Sequence, residues 1–150
     1  MRAAYRWRFA WWPFDGQGAS ATFALTPRLP WALELRGGLS AFRADLRTLD
    51  LRSLQVLGGA SDVSVSLPRP SGTVLVRLVG GASDVLFRRP AGAEARLRVT
   101  GGAASLTFDA QRLGAVGGTV RLETPGWATA TDRYDFEITG GAAGLEVTTA

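Results

Sequence analysis

The sequence predicts an all-β protein, a parallel β-solenoid wound from coils of about 21 residues. An antiparallel β-sandwich built from the same strands is the alternative. Three observations point this way. First, one short signature recurs five times: RGGLS at Arg36, LGGAS at Leu57, VGGAS at Val79, TGGAA at Thr100 and TGGAA at Thr139. Its glycine pairs are Gly37 and Gly38, Gly58 and Gly59, Gly80 and Gly81, Gly101 and Gly102, and Gly140 and Gly141, at intervals of 21, 22, 21 and 39 residues. Second, strict two-residue alternation flanks each pair. Apolar columns stand before it (Leu33, Leu54, Val76, Leu97, Phe136; Leu35, Val56, Leu78, Val99, Ile138) with polar residues between. Apolar columns also stand after it (Phe42, Val63, Val85, Leu106, Leu145; Ala44, Val65, Phe87, Phe108, Val147). Third, no window shows a convincing helical period.

Taken in order, the elements read as follows. Residues 1–30 form an aromatic-rich N-terminal cap. Nine of the fourteen aromatics fall within the first 42 residues, and Tyr5 to Trp11 alternates as a strand with aromatics on one face. The open end of a solenoid needs such a plug. A docking surface for a partner, built on Trp7, Trp11 and Trp12, is the other reading, with Trp127 a further candidate interaction residue. Residues 31–150 form the coils, one strand before and one after each glycine pair. Glycine pairs turn sharply because positive φ costs them nothing. The opposite corner is closed by LPRPSG from Leu67 and RPAG from Arg89, where proline ends a strand without disturbing a ladder. Matching residues at matching spacing favour stacking of each position on its own copies. The long stretch at about 104–139, with its partial copy AVGGTVRLETPGW, reads as one enlarged coil or a protruding loop around Trp127. The whole chain is one domain.

Composition removes most catalytic chemistry. The chain has 150 residues, no cysteine and no histidine, and all its basic charge is arginine, giving a net charge of +4. Without histidine or cysteine there is no Ser-His-Asp or Cys-His arrangement, and zinc, copper and haem lose their usual ligands. Without lysine there is no Schiff base, and the GGAS turns do not match a phosphate loop. The arginines are interleaved with acids, so specific nucleic-acid binding is not expected. No targeting or membrane-spanning segment is visible. No cofactor and no resident metal are expected. The residual chemical option is an acidic pair, Asp62 and Asp84, in the same column of two ASDV turns. Stacked about 4.8 Å apart, two carboxylates could share acid–base work or hold calcium. A surface turn paired with arginines such as Arg69 or Arg89 is the preferred account of them. Tyr134, in Asp132-Arg133-Tyr134-Asp135, holds a structural position equivalent to Trp31.

The segments GGASDVSVSLPRPSG, GGASDVLFRRPAG, GGAASLTFD and TDRYDFEITGGA resemble uncharacterised bacterial proteins with repeated GGAS coils, and through them the adhesin-type, or toast-rack, domains. The resemblance covers Trp31 to the end. It implies a right-handed single-stranded β-helix and a non-enzymatic role at or near the bacterial cell envelope. The expected function is therefore an interaction module that meets a protein partner or, as a homo-oligomer, a second copy of itself. Carbohydrate binding, or less readily cleavage, is the alternative. It requires exposed aromatics and acids lining one groove.

Overall fold

The computed structural model describes residues 24–150. It is all-β among these residues, with twelve strands: β1 (Pro30–Arg36), β2 (Leu39–Asp45), β3 (Asp50–Leu57), β4 (Ala60–Ser66), β5 (Thr73–Val79), β6 (Ala82–Arg89), β7 (Glu94–Thr100), β8 (Ala103–Phe108), β9 (Gln111–Leu113), β10 (Thr119–Glu123), β11 (Arg133–Thr139) and β12 (Ala142–Thr149). They form two six-stranded sheets of order β1-β3-β5-β11-β7-β10 and β2-β4-β6-β12-β8-β9. The strands on either side of each glycine pair lie in different sheets, so they do not pair with each other as hairpins. Within a sheet the five repeat strands run parallel. The alternating apolar columns meet between the sheets in one core, where Phe87 of one sheet lies 5.4 Å, centroid to centroid, from Phe136 of the other.

The repeats do not stack in chain order. Sequence alone suggests that each coil lies on the one before it. Instead the fifth repeat, β11 and β12, lies between the third (β5, β6) and the fourth (β7, β8). The inward rows show why. In chain order Phe87 would meet Phe108; in the fold Val147 separates them. Tyr134 sits between Val74 and Ala95, and Phe136 between Val76 and Leu97. Large side chains are flanked by smaller ones, which lets the rows close without voids or overlap.

The outward row makes the same choice by charge. In chain order Arg77 would stand beside Arg98. Glu137 lies between them, 3.0 Å from Arg77 and 3.5 Å from Arg98. One row over, Asp135 takes Arg96 at 2.5 Å. Opposite charges on neighbouring strands stabilise a sheet and like charges destabilise it.

The stretch expected to be an enlarged coil resolves into several pieces. After β8 the chain reverses at Asp109 and Ala110. β9 then runs antiparallel to β8, and β10 runs antiparallel to β7. Gly117 and Gly118, from the partial copy, form the corner between them. This is a sixth repeat run backwards. Reversal returns the chain to the proline corner, since Glu123 lies opposite Arg96 near the start of β7. From there residues 124–132 lead into β11, whose first residue, Arg133, lies opposite Glu94. The reversed repeat also ends the sheets with short strands bearing Arg112, Arg121 and Glu123, and charged short edges resist further pairing.

The order 3-5-4 makes a measurable demand. Arg77 and Glu137 are about half exposed and a quarter exposed, so their coupling is modest, about 0.5 kcal/mol. A double-mutant cycle of Arg77→Ala and Glu137→Ala, followed by urea unfolding at low salt, should return that coupling. A coupling of zero argues against β11 lying beside β5.

Candidate functional site

A continuous surface feature runs along the glycine corner. In the last four pairs both amides point at one carbonyl of the neighbouring repeat; in the first, Gly37 N alone donates, to Leu57 O. Val79 O accepts from Gly58 N and Gly59 N at 2.8 and 3.1 Å, and Thr139 O from Gly80 N and Gly81 N at 2.9 and 3.3 Å. Thr100 O accepts from Gly140 N and Gly141 N, and Gly118 O from Gly101 N and Gly102 N. These amides are consumed by the next repeat, so they do not cradle a phosphate. The approach is close enough to exclude any side chain. Gly80 has φ +117°, and a Cβ there would lie 2.5 Å from the amide nitrogen of Gly59. The result is an open, shallow groove of about 850 Å³ along the corner. It is lined by the glycine pairs and by small residues such as Ser61, Ser83, Ala104 and Ala143.

Just past each corner the backbone turns left-handed for one residue. The positions are Ala41, Asp62, Asp84, Ser105 and Gly144, with φ between 51° and 69°. This column contains the predicted acidic pair. Its register explains the residue types: Ser61 pairs with Ser83 and Val63 with Val85, and the intervening aspartates bulge outward. Asp tolerates positive φ better than most residues. Asp62 and Asp84 thus stand at one bulge on adjacent strands, both exposed. Asp62 is held by Arg43, at 2.6 Å to its carboxylate and 2.7 Å to its carbonyl. Neither Arg69 nor Arg89 is its partner, contrary to expectation. Asp84 lies over Gly144, where a Cβ would be 2.6 Å from its Oδ1. That neighbour is absent if repeats stack in chain order, and Gly144 meets it at φ +69°. Among the described residues no three acids gather as a metal site.

Arg89 is the surprise of the opposite corner. It occupies the inward column held by Leu46 and Leu67 in earlier repeats and is 2% exposed. Its guanidinium forks onto Asp109 at 2.8 and 2.5 Å and donates to Ala93 O at 2.8 Å. Asp109 N donates to Val147 O, and Arg89 O accepts from Ala150 N. The pair therefore spans from the third repeat to the fourth around the end of β12. Every donor direction of a buried guanidinium must find an acceptor, and the turn residue Asp109 supplies two.

Trp127 does not offer an exposed ring, which corrects its expected role as an interaction residue. It is 8% exposed, with the Arg96 and Arg133 guanidinium carbons 3.8 and 4.3 Å from its ring centroid. Its Nε1 donates to Tyr134 O at 2.8 Å, and Arg133 donates to Trp127 O at 2.8 Å. Asp135 binds Arg96 through both carboxylate oxygens and holds that guanidinium above the usual arginine range. The ring is a fastener that ties residues 124–132 to the outer face of the β7–β11 pair. Tyr134 is fully buried, and its hydroxyl donates to Pro68 O at 2.5 Å. Burial pushes its phenol pKa well up. Trp7, Trp11 and Trp12 lie outside the described residues.

No family model matches the chain, and no curated protein matches it. Among solved structures, a putative cell adhesion protein from Clostridium sporogenes has a similar fold, with a TM-score of 0.62 at 15% identity. The match covers 84% of this chain and 58% of that one, so this chain spans under two thirds of that structure. Among the described residues no helix is long and apolar enough to cross a membrane.

Two outcomes test this geometry. Gly80→Ala adds backbone collision to left-handed strain and should cost about 3 kcal/mol. Gly72→Ala, with φ +74° and open space around its Cβ, should cost only about 1 kcal/mol. Equal losses in urea unfolding would remove the close-approach account. For Tyr134, the folded chain keeps a phenol proton that the unfolded chain releases above about pH 10. The stability this contributes is whole below that pH and lost as pH climbs beyond it. Tyr134→Phe should flatten the alkaline loss, at a cost of about 1 kcal/mol at neutral pH. Parallel pH profiles for both chains would contradict it.

Proposed function

We propose that this chain is a non-enzymatic interaction module, an adhesin-like β-solenoid that meets another protein or a second copy of itself near the bacterial cell envelope. One observation carries the reading. The repeats use every regular inward position for the core, and leave in-register outward faces joined by a corner groove with almost no side chains. Such a surface suits flat contact between macromolecules. In-register parallel sheets support the solenoid, and the resemblance supports its right hand. The similarity to a structure described as a cell adhesion protein agrees in kind.

The expected N-terminal cap lies outside the described residues up to residue 23, and the described structure begins near the β1–β2 end. There Trp31, Leu33, Leu35 and Phe42 are only half-buried, unlike their counterparts in inner repeats. An uncovered apolar end of a two-sheet body would be a pairing hazard. The described residues lend the glycan alternative less support: Trp127 is buried, Asp62 is ion-paired, and no described aromatic or acidic side chain lines the groove.

Bulk placed on the groove tests the surface. Ser83 and Ala104 are exposed on its wall. Ser83→Arg and Ala104→Arg should each change stability by less than about 0.5 kcal/mol. In sedimentation velocity over a concentration series, they should weaken self-association about tenfold, or about 1.4 kcal/mol. Association unchanged by both substitutions removes the groove as the contact surface. Saturable binding of a soluble polysaccharide overturns the reading itself.

A further inference from the structure

We propose that the seat of the fifth repeat is an exchange site between chains, and that its occupant in an assembled pair is residues 133–149 of a second copy. The inference rests on the self-association reading above and names its surface and partner.

Three observations carry it. The fifth repeat follows every other described strand, so it can leave its seat without separating two consecutive elements elsewhere. It is joined to the body through Thr124, Pro125 and Gly126. Both hydrogen bonds of the fastener Trp127 to this region run to the departing side, to Tyr134 O and from Arg133, while its ring stacks on Arg96 of the staying strand β7. A short link of this kind is a natural hinge for exchange.

The vacated seat is also specific. It exposes four strand edges, those of β5 and β7 in one sheet and β6 and β8 in the other. Open edges invite a parallel strand. Simple closure of the gap puts Arg77 against Arg98 and Phe87 against Phe108, which charge and volume oppose. The seat fits a segment carrying Glu137 between the arginines and Val147 between the phenylalanines. Both copies of the chain own that segment. A chain from a second copy makes the same contacts, so concentration and the hinge decide between closed and exchanged forms.

The absence of cysteine from the chain makes the test clean. Two full-length variants, Arg77→Cys and Glu137→Cys, carry different mass tags. These positions face each other across β5 and β11. The variants are unfolded together, refolded at high concentration, checked by circular dichroism and treated with a short bis-maleimide. Exchange predicts mixed 77–137 dimers about tenfold over either self-linked product, rising with refolding concentration. It predicts none when the two are mixed after refolding. A chain carrying both substitutions, linked internally beforehand, should refold only as monomer. Mixed dimers no more abundant than self-linked ones overturn the exchange. Dimers that form equally in the internally linked chain also overturn it, while leaving self-association through the outer surface standing.

Discussion

Between β5 and β7 the backbone leaves room for one strand, and β11 fills it; between β6 and β8 the same is true of β12. The rest of the molecule depends on this insertion. Without it the third and fourth repeats share no backbone hydrogen bonds, and the reversed repeat beyond the fourth has nothing to cap. The inserted repeat is buried as deeply as the repeats on either side of it: Tyr134, Phe136, Ile138, Leu145 and Val147 are all at most 1% exposed. Each such side chain contributes on the order of 2 kcal/mol, so much of the core's cohesion arrives with the last strands of the described chain.

The insertion is held from both corners. At the glycine corner, the amide pairs converge in the spatial order 58, 80, 140, 101, each on a carbonyl of the next repeat. At the proline corner, three side-chain contacts act together. Tyr134 reaches Pro68 O, Asp132 accepts from Gly72 N, and Arg89 closes onto Asp109 around the end of β12. Arg89 is costly to bury alone and satisfied only when Asp109 is in place, so this contact rewards one arrangement of the third, fourth and fifth repeats.

Strand positions, inward columns and corner glycines were legible in the sequence because two-residue alternation and positive-φ glycine leave direct marks. Repeat order was not. Leu97 fits beside Val76 almost as well as Phe136 does, and GGA stacks on any other GGA. Periodic rows are therefore degenerate under exchange of repeats. Only the exceptions to the pattern break the degeneracy: Glu137 among arginines, Val147 between phenylalanines, and Gly144 beneath Asp84. Each was visible as a residue, but its meaning depended on a neighbour that chain order does not supply. The reversed repeat left a partial trace in AVGGTV, yet strand direction is invisible to a pattern of period two. The acidic column pointed to chemistry because adjacency was readable and φ was not. Its left-handed backbone shows why aspartate, serine and glycine share one column. Trp127 likewise looked available because Arg96, the nearer of the two arginines on its ring, comes from β7, far earlier in the chain.

The same degeneracy shapes what the molecule can do. A core made of equivalent rows gives little selectivity among repeats, since each inward row accepts any apolar side chain of suitable size. Selectivity has to come from the outward rows, where Arg77, Glu137 and Arg98 alternate in sign, and from corner side chains that recognise one partner each. Those outward rows are also the surface another macromolecule would meet. The residues that choose the internal order and the residues open to a partner therefore overlap. Outside contact with the face of β5, β11 and β7 necessarily competes with, or reinforces, the ion pairs that keep the fifth repeat in its seat. On the proposed function, binding on that face would be thermodynamically linked to retention of the fifth repeat, through charges on a single row of one sheet.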